Sequence, residues 1–429
     1  MDLSTRLRQF GATVQAELPQ LFERYAASAD DGPCFVDQPG QARRVRPNCD
    51  AVEIAAMFDT LPPGRSRAGW VELLGSCQDP VSGLVGEHLA ADRRLDPPWG
   101  LDEAAPLSPA PTPSADTDLP VPSGGPDRYN TMAVNYALEC LGAHLPGPVH
   151  EVGAITAERL VPLLDAQAWA SDPWDAGHWV DCYASCLDAN ARHFGLATPV
   201  ETLFDWLDRR CDPVSGLWGE PGQRGWLLPV NGFYRLTRGT YAQFGRPLPH
   251  PGAARATVWR HCHDDAVFGQ GRGTACAVLD VVHPLWLCLR QERGQSAPAA
   301  SALDDPASID PASIDPASVG SGRVEAVTIE PRPAGLDQIE LDPTELDPTE
   351  LDQVEQWMER RLNQTLSRWS PGRGFAFDPE EGRPSLQGSE MWLSIVHLMA
   401  ATLGLAAELG YRPRGVHRLD PPRRDLASG

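Results

Sequence analysis

Apolar residues recur along most of this chain at every third or fourth position, the spacing that gathers them on one face of an α-helix. Six segments are apolar on one side only and predict amphipathic helices at residues 3–25, 68–77, 157–168, 200–211, 253–263 and 353–369. Each is followed by a segment that is apolar or aromatic on nearly all sides, at residues 49–58, 129–141, 179–194, 230–244, 274–291 and 389–403. The alternating pattern of β-strands is almost absent, so the sequence predicts an all-α protein.

The alternation of the two kinds of helix predicts how they are arranged. A helix that is apolar all round belongs in the interior, whereas an amphipathic helix covers that interior from outside. Six of each kind, taken in turn along the chain, are what two concentric layers require. The sequence therefore predicts an (α/α)6 toroid, formed as a single domain by residues 1–295 and 353–412.

A repeated turn supports a repeat architecture. Residues 78–87 read QDPVSGLVGE, and residues 211–220 read CDPVSGLWGE. In each copy, Asp followed by Pro starts a turn, Ser bonds to the local backbone and Gly supplies a positive φ. The recurrence is explained by backbone geometry, so these turns are predicted to be structural.

Three segments are predicted to lie outside the helical layers. Residues 97–126 are rich in Pro and Ser and predict a long exposed loop. Residues 296–352 form a low-complexity acidic insert that contains DPASIDPASIDPAS and LDPTELDPTELD. Regularly spaced proline blocks a continuous helix and acidic charge resists collapse, so this insert is predicted to be disordered. Residues 413–429 are expected to be a tail.

Charge and composition limit the possible partners and compartments. The chain of 429 residues carries a formal net charge of -22, from 58 acidic and 36 basic side chains. Nucleic acid is an unfavourable partner for such a chain, because its binding needs a cationic surface. No apolar run reaches the length of a membrane span, and the charged N-terminal stretch does not resemble a signal peptide. Cysteines scattered through apolar helical patterns are typical of buried, reduced thiols, so a cytoplasmic location is expected.

Two further features of the composition bear on chemistry. The sequence contains no lysine, as a GC-rich bacterial genome would explain, and this excludes Schiff-base and lysine general-base catalysis. Cys182 and Cys186 have i, i+4 spacing but lack a second cysteine pair of the kind that zinc sites use. The sequence therefore predicts no metal and no cofactor.

The candidate chemistry lies near the starts of the inner helices, which a toroid brings together around a central cavity. Charged groups on such apolar helices are costly unless they are paired or functional. Asp181, Asp280 and Glu390 are therefore predicted to be catalytic acids or bases. The further catalytic candidates are His283 and Tyr234, and the predicted substrate-binding residues are Trp179, Tyr183, Asn231, Arg235, Arg238 and Trp392.

The same residues also have structural explanations. Asp181 and Glu390 can cap the starts of their own helices, and Asp280 can hydrogen-bond to His283 one turn away. Arg235 and Arg238 can form a clamp for a carboxylate or a phosphate, or can pair with the acids across the interior.

The helical pairs and the D-P-x-S-G-L-W turns resemble the (α/α)6 toroid superfamily. That group includes glycoside hydrolases, polysaccharide lyases and sugar epimerases, together with terpene cyclases and protein prenyltransferase β subunits. The resemblance concerns architecture and a turn motif, so no catalytic residue of any one family is carried over. The DxDD, DDxxD and repeated QxxxGxW motifs of cyclases are missing, as is a convincing set of prenyltransferase zinc ligands.

The sequence leaves three hypotheses for function. The first is an enzyme that acts on a carbohydrate or uronate, as a hydrolase, lyase or epimerase, by carboxylate acid/base chemistry. The second is a terpene cyclase-like or prenyl-binding enzyme with an aromatic cavity. The third is a non-catalytic toroid that binds a ligand or a protein. The expected partner is a small molecule or an oligosaccharide, and the sequence does not specify a protein partner.

Overall fold

The computed structural model describes residues 2–29, 32–90, 92, 126–269, 271–294 and 348–421. In chain order its helices are α1 (Leu3–Tyr25), α2 (Val45–Met57), α3 (Arg67–Gly75), α4 (Pro126–Cys140), α5 (His150–Gly153), α6 (Ala157–Asp165), α7 (Pro173–Phe194), α8 (Val200–Arg210), α9 (Leu227–Thr237), α10 (Pro251–His261), α11 (Asp265–Phe268), α12 (Ala275–Glu292), α13 (Pro348–Leu366) and α14 (Leu386–Thr402). Strands β1 (Ala26–Ala29) and β2 (Gly32–Phe35) form one antiparallel hairpin. The prediction of an all-α protein is confirmed.

Each of the twelve predicted helices overlaps an observed helix. Helices α1, α3, α6, α8, α10 and α13 correspond to the amphipathic segments, and α2, α4, α7, α9, α12 and α14 to the apolar ones. Helix α8 illustrates the first group, because it buries Leu203, Phe204 and Leu207 and exposes its last three residues. Helix α14 illustrates the second group, because nearly all of its residues are buried. Periodicity in the sequence therefore identified which helices lie inside.

The six apolar helices contact one another in a closed cycle. Helix α2 packs against α4, α4 against α7, α7 against α9, α9 against α12, α12 against α14, and α14 against α2. Among the amphipathic helices, α10 packs against α12 and α13 against α14. Side chains that point inward from the six helices therefore share one interior.

Glycine brings α7 and α9 into close contact. A Cβ atom on Gly177 would lie 2.3 Å from the carbonyl oxygen of Gly232, so neither helix could approach as closely with a larger residue. Helix α9 continues into a π-helical turn, Arg238–Ala242. There a Cβ atom on Gly239 would lie 2.5 Å from the Asp181 carboxylate. These contacts place the start of the π-helical turn beside the middle of α7, and π-helical turns are frequent at functional sites.

The two repeated turns fold alike. In the first, Asp79 Oδ1 accepts hydrogen bonds from the Val81 and Ser82 amides at 3.0 and 2.8 Å. In the second, the Asp212 carboxylate accepts a hydrogen bond from the Val214 amide at 3.1 Å and another from the Ser215 hydroxyl at 2.8 Å. Each turn ends in a glycine with positive φ, as the sequence predicted.

Parts of the predicted peripheral segments lie in or beside the helical body. The predicted loop 97–126 falls outside the described residues except for Pro126, which begins α4. The predicted insert 296–352 falls outside them as far as residue 347, and α13 already begins at Pro348. The predicted tail 413–429 is described to residue 421. It contains a 3-10 turn, Gly415–His417, in which all three residues are buried.

The C-terminal segment, residues 411–421, is fastened to the inner helices. The Arg412 amide donates to the Met57 carbonyl at the end of α2 over 3.1 Å. The Tyr411 hydroxyl donates to the Leu393 carbonyl of α14 over 2.9 Å. Arg418 donates to Glu139 of α4 over 2.6 Å. This end of the chain is thus part of the core, because three inner helices hold it. The predicted tail, residues 413–429, gave no indication of these contacts.

No helix in the described ranges combines the length and the apolar character needed to cross a membrane.

The turn glycines provide a test of this packing. Gly216 has φ +71°, and a Cβ atom there would lie 2.2 Å from the Ala254 amide nitrogen. We expect Gly216→Ala to lower the free energy of unfolding by roughly 3 kcal/mol or more, from backbone strain and the clash together. Gly195→Ala is the control, because Gly195 has φ +63° but nothing within 4 Å of its Cβ position. It should cost about 1 kcal/mol. If urea unfolding shows the same loss of stability for both variants, the close contact between Gly216 and Ala254 is contradicted.

Candidate functional site

A partly exposed group of side chains lies near the starts of α2, α4 and α7 and the end of α9. Its centre is Tyr129 of α4, whose ring faces the Arg46 guanidinium at 5.1 Å and the Arg235 guanidinium at 5.7 Å. The His178 ring lies 5.5 Å from the same phenol. We call these four residues the Tyr129 cluster. It offers two guanidinium groups and two aromatic faces, which suit a planar or anionic ligand.

Asp181 and Arg238 form a buried ion pair across the α7–α9 contact. Arg238 donates from Nη2 to Asp181 Oδ2 and from Nε to Oδ1, the latter over 3.2 Å. The same guanidinium donates to the Tyr234 hydroxyl over 3.2 Å. Both side chains are almost fully buried, with 0% and 5% exposure. Burial raises the pKa of Asp181 and Arg238 opposes that rise. Arg238 is thus paired with an acid across the interior, which was the alternative to a clamp for a ligand.

Asp280 of α12 has a different environment. The side-chain amide nitrogen of Asn231 faces α12 and donates to Asp280 Oδ2 over 3.3 Å. Asp280 Oδ1 is buried without a hydrogen-bond partner. Burial raises the pKa of Asp280 from 3.8 to about 7, against the opposing effects of Arg235 and Arg238. A carboxyl group that titrates near neutral pH can both donate and accept a proton.

His283 lies one helical turn from Asp280 and contacts the Tyr234 ring edge-on, with centroids 5.2 Å apart. Its Nδ1 atom is buried and has no hydrogen-bond partner, so the expected bond to Asp280 is not formed through that atom. Burial lowers the pKa of His283 to about 3, with Arg238 adding to the effect. Burial raises the pKa of Tyr234 well above 10, so its hydroxyl stays protonated.

Glu390 of α14 is held by the C-terminal segment. Its Oε1 atom accepts hydrogen bonds from His417 Nδ1 at 2.8 Å and from the Ser394 hydroxyl at 3.2 Å. Its Oε2 atom has no hydrogen-bond partner, although Arg46 Nη2 lies 3.9 Å away. Burial favours a higher pKa for Glu390, but His417, Arg46 and Ser394 together outweigh burial and the pKa is lowered.

The predicted aromatic platforms are packed in the core. Trp179 and Tyr183 stack on each other with centroids 5.0 Å apart, and Trp392 donates from its indole to the Ala376 carbonyl over 2.9 Å. All three are at most 2% exposed. Among the predicted site residues, Asn231 and Arg235 are the ones that are partly exposed.

The structure brings the predicted charged residues and Tyr234 into the polar interior, leaves the other predicted aromatic residues in the apolar core, and adds further residues to the polar group. Arg46, Tyr129 and His417 were missed by sequence reasoning, because nothing local indicates that residues so far apart meet. One signal was available: Arg46 and Asp50 have i, i+4 spacing on an apolar helix, and Arg46 Nε donates to Asp50 Oδ1 over 2.6 Å. A charged pair on a buried face is itself an indication of a site.

Two groups of side chains in the described ranges have the spacing of metal ligands, each with its ligand atoms within 4.8 Å of one another. The first is His178, Asp181 and Cys182. Arg238 occupies the Asp181 carboxylate there, and burial raises the pKa of the Cys182 thiol, so a thiolate ligand is disfavoured. The second is Glu53, Glu390 and His417, in which Glu53 Oε1 and Glu390 Oε2 accept no hydrogen bond, although Arg46 lies 3.9 Å from the latter.

A cavity of about 740 Å³ opens near the ends of α2, α12 and α14. Trp286, Arg290 and His397 are among its lining residues, and the C-terminal segment contributes Tyr411 and Arg414. Arg414 is paired with Asp59 at 2.8 Å and Arg290 with Asp420 at 3.4 Å. The cavity lies away from the helix starts, where the Tyr129 cluster is found.

Comparisons with protein-family models, with curated proteins and with solved structures found no match for this chain. The function must therefore be argued from the side chains themselves.

The Asp181–Arg238 pair leads to a prediction about stability. We expect Asp181→Ala to lower the free energy of unfolding by about 3–5 kcal/mol, because it leaves a buried guanidinium without its partner. The double variant Asp181→Leu/Arg238→Met should lose much less, since neither charge remains. Glu201→Ala, which removes the exposed partner of Arg246, is the control and should change stability far less. Similar losses in all three, measured by urea unfolding, would show that the buried pair has no special role.

Asp280 leads to a prediction about pH. Between about pH 4 and pH 7 the folded protein holds a proton on Asp280 that the unfolded chain releases. This group therefore makes stability fall by up to about 1.4 kcal/mol per pH unit as pH rises through that window, and has no further effect above it. Asp280→Asn removes this trend, so the stability of the wild type relative to the variant should decline from pH 4 to pH 7. Asp205→Asn, on the exposed side of α8, controls for the substitution itself. A difference that is constant with pH would show that Asp280 titrates normally.

Proposed function

We propose that this chain is an (α/α)6 toroid enzyme that removes the proton beside the carboxylate of a uronate sugar, as a lyase or an epimerase. Arg235 binds the substrate carboxylate, and Asp280 is the acid/base group. The observation that carries the proposal is the free Asp280 oxygen, which lies one helical turn below the partly exposed Cys276 and within the electrostatic influence of Arg235.

The closed cycle of contacts among the six apolar helices supports the toroid. In a two-layered toroid each inner helix contacts two inner neighbours, and the last inner helix contacts the first. The contact between α14 and α2 satisfies this condition. Helix starts that share one face would also bring amide donors and a partial positive charge to the same opening, which favours an anionic substrate.

Arg235 is suited to binding a carboxylate. Its guanidinium lies over the Tyr129 ring, and its Nε atom is buried without a hydrogen-bond partner. An arginine in this state has donors left for an incoming anion, and its planar fork matches a carboxylate. Arg238, by contrast, is already occupied by Asp181. We therefore assign the substrate carboxylate to Arg235.

The number of free carboxylates favours proton abstraction over hydrolysis. Glycoside hydrolysis uses two carboxyl groups, one as acid and one as base or nucleophile. Asp181 is held by Arg238, and Glu390 by His417 and Ser394. Glu390 Oε2 also lacks a hydrogen-bond partner, but Arg46 forms an ion pair with it at 3.9 Å. Of the three predicted acids, Asp280 is the one outside any ion pair among the described residues, so a reaction with one acid/base group fits best.

The chemistry follows from the pKa values of the neighbours. Ionised Asp280 takes the proton from the carbon beside the substrate carboxylate, and the electron pair moves into that carboxylate as an enediolate, which Arg235 stabilises. In a lyase this pair then forms a carbon–carbon double bond as the β-oxygen leaves with a proton from the Tyr234 hydroxyl. In an epimerase the Tyr234 hydroxyl gives its proton to the opposite face of the same carbon. In both reactions the proton on Asp280 then leaves to solvent and the Tyr234 oxygen takes one up, which restores both groups. His283, with its pKa lowered to about 3, is too weak a base at neutral pH to replace Asp280.

A second candidate is a prenyl diphosphate enzyme, favoured by one observation. The Arg46 and Arg235 guanidiniums lie over the same Tyr129 ring. Two cations beside an aromatic face would suit a diphosphate attached to an apolar chain. Arg46 is already bonded to Asp50 at 2.6 Å, which makes it less free than Arg235. We therefore rank this candidate second.

The test is a turnover assay on a panel of polyuronates and uronate oligosaccharides. Lyase products are followed by the ultraviolet absorbance of the new double bond, and epimerase products by NMR. We expect Asp280→Asn to lower kcat by roughly 10²–10⁴-fold, because it removes the proton acceptor. Arg235→Gln should lower kcat/KM on uronates, because it removes a charge-assisted contact with the carboxylate.

Matched controls are Asp205→Asn and Arg260→Gln, both at exposed positions of outer helices. They should leave turnover unchanged. Three results would count against the proposal: no turnover of any uronate, full activity in Asp280→Asn, or a melting-temperature rise with prenyl diphosphates that Arg46→Gln abolishes. The last of these would favour the second candidate.

A further inference from the structure

Three side chains from distant parts of the sequence meet in the interior. Glu53 comes from α2, Glu390 from α14 and His417 from the 3-10 turn of the C-terminal segment. Each offers one ligand atom, and these atoms lie within 4.8 Å of one another. The three residues are 0%, 0% and 3% exposed. We call them the Glu53 group.

Each carboxylate of the Glu53 group has one oxygen fixed by the protein and one left over. Glu53 Oε2 accepts a hydrogen bond from the Val416 amide at 2.9 Å, and Oε1 has no partner. Glu390 Oε1 accepts hydrogen bonds from His417 and Ser394, and Oε2 has no partner. Metal-binding carboxylates and imidazoles are oriented in this way by a second shell of hydrogen bonds.

The surrounding charge is unbalanced. Asp50, Glu53 and Glu390 bring three carboxylates, and Arg46 is the cation that lies against them, 2.6 Å from Asp50 and 3.9 Å from Glu390. With all three carboxylates ionised and His417 neutral, the excess of negative charge is two. Buried charge without compensation is costly, and a divalent cation would balance this excess.

The C-terminal turn approaches Glu53 closely because of a glycine. Gly415 has φ +65°, and a Cβ atom there would lie 2.4 Å from the Glu53 carboxylate. The turn can therefore bring the Val416 amide and the His417 ring to the same carboxylates. His417 Nδ1 and Glu390 Oε1 share a proton across 2.8 Å. A divalent ion would displace this proton and bind Nδ1 and the carboxylate together.

We propose that Glu53, Glu390 and His417 bind a divalent transition-metal ion that fastens the C-terminal segment to α2 and α14. Two carboxylates and one imidazole suit Zn²⁺ and Mn²⁺. Three protein ligands leave an open coordination position for water. This site is separate from Asp280, so the proposal does not depend on the uronate reaction.

The direct test is a calorimetric titration of the full chain, stripped with a chelator, with ZnCl2 and separately with MnCl2. We expect one equivalent of at least one metal to bind, and a rise in melting temperature of about 5 °C when the free metal is a hundred times the Kd. Glu53→Gln and His417→Ala should each weaken binding by at least tenfold. His397→Ala is the matched control, a buried histidine of α14 outside the Glu53 group.

A second measurement reports on the C-terminal segment itself. The chain has no lysine, so trypsin cuts it only after arginine. Arg414 and Arg418 flank the proposed ligand, whereas the bond after Arg412 precedes Pro413 and resists trypsin. The metal should slow the loss of the C-terminal peptide severalfold in the wild type and in His397→Ala, but not in His417→Ala. Should Glu53→Gln fail to fold, Glu390→Gln replaces it in both experiments.

Two results would overturn the proposal. One is the absence of stoichiometric binding of either metal to the wild type. The other is unchanged metal affinity in the Glu→Gln variant and also in His417→Ala, which would place the ion elsewhere on the protein.

Discussion

The structure depends on keeping several charged groups inside a shell of apolar helices. Asp181 with Arg238, and Arg46 with Asp50, are arginine–carboxylate pairs buried among aromatic and aliphatic side chains. Removing ions from water is expensive, and it is offset only when partners lie at hydrogen-bond distance. The helices must therefore sit in one relative position, since a shift of one turn would separate the partners. Apolar packing alone tolerates more variation.

The backbone meets this requirement through its smallest residues. Helices α7 and α9 approach until Gly177 touches Gly232, and Gly239 leaves room for the Asp181 carboxylate. Only at this separation can Arg238 reach Asp181 with two of its nitrogens. Pairing satisfies both oxygens of Asp181, whereas Asp280 keeps its Oδ1 atom without a hydrogen-bond partner and so available for chemistry. Helix spacing and candidate reactivity thus have a common origin.

The C-terminal segment completes the interior from a distant part of the chain. His417 bonds to Glu390, and the Val416 amide bonds to Glu53. Arg418 lies over the Tyr136 ring at 4.8 Å and donates to Glu139 of α4. Without this segment the carboxylates of α2 and α14 would face one another with too few donors. The same segment lines the cavity near the ends of α2, α12 and α14.

The sequence by itself determined the helices and their sidedness, because the 3.6-residue period records which face of each helix is buried. It also determined the repeated turns, since Asp79 and Asp212 act on a backbone only a few residues away. The tertiary structure decided which candidates are paired. Asp181 and Asp280 look alike in the sequence, as charges on apolar helices, yet one meets an arginine and the other an amide. Their partners, and the meeting of Glu390 with His417, depend on contacts between remote segments, which periodicity does not encode.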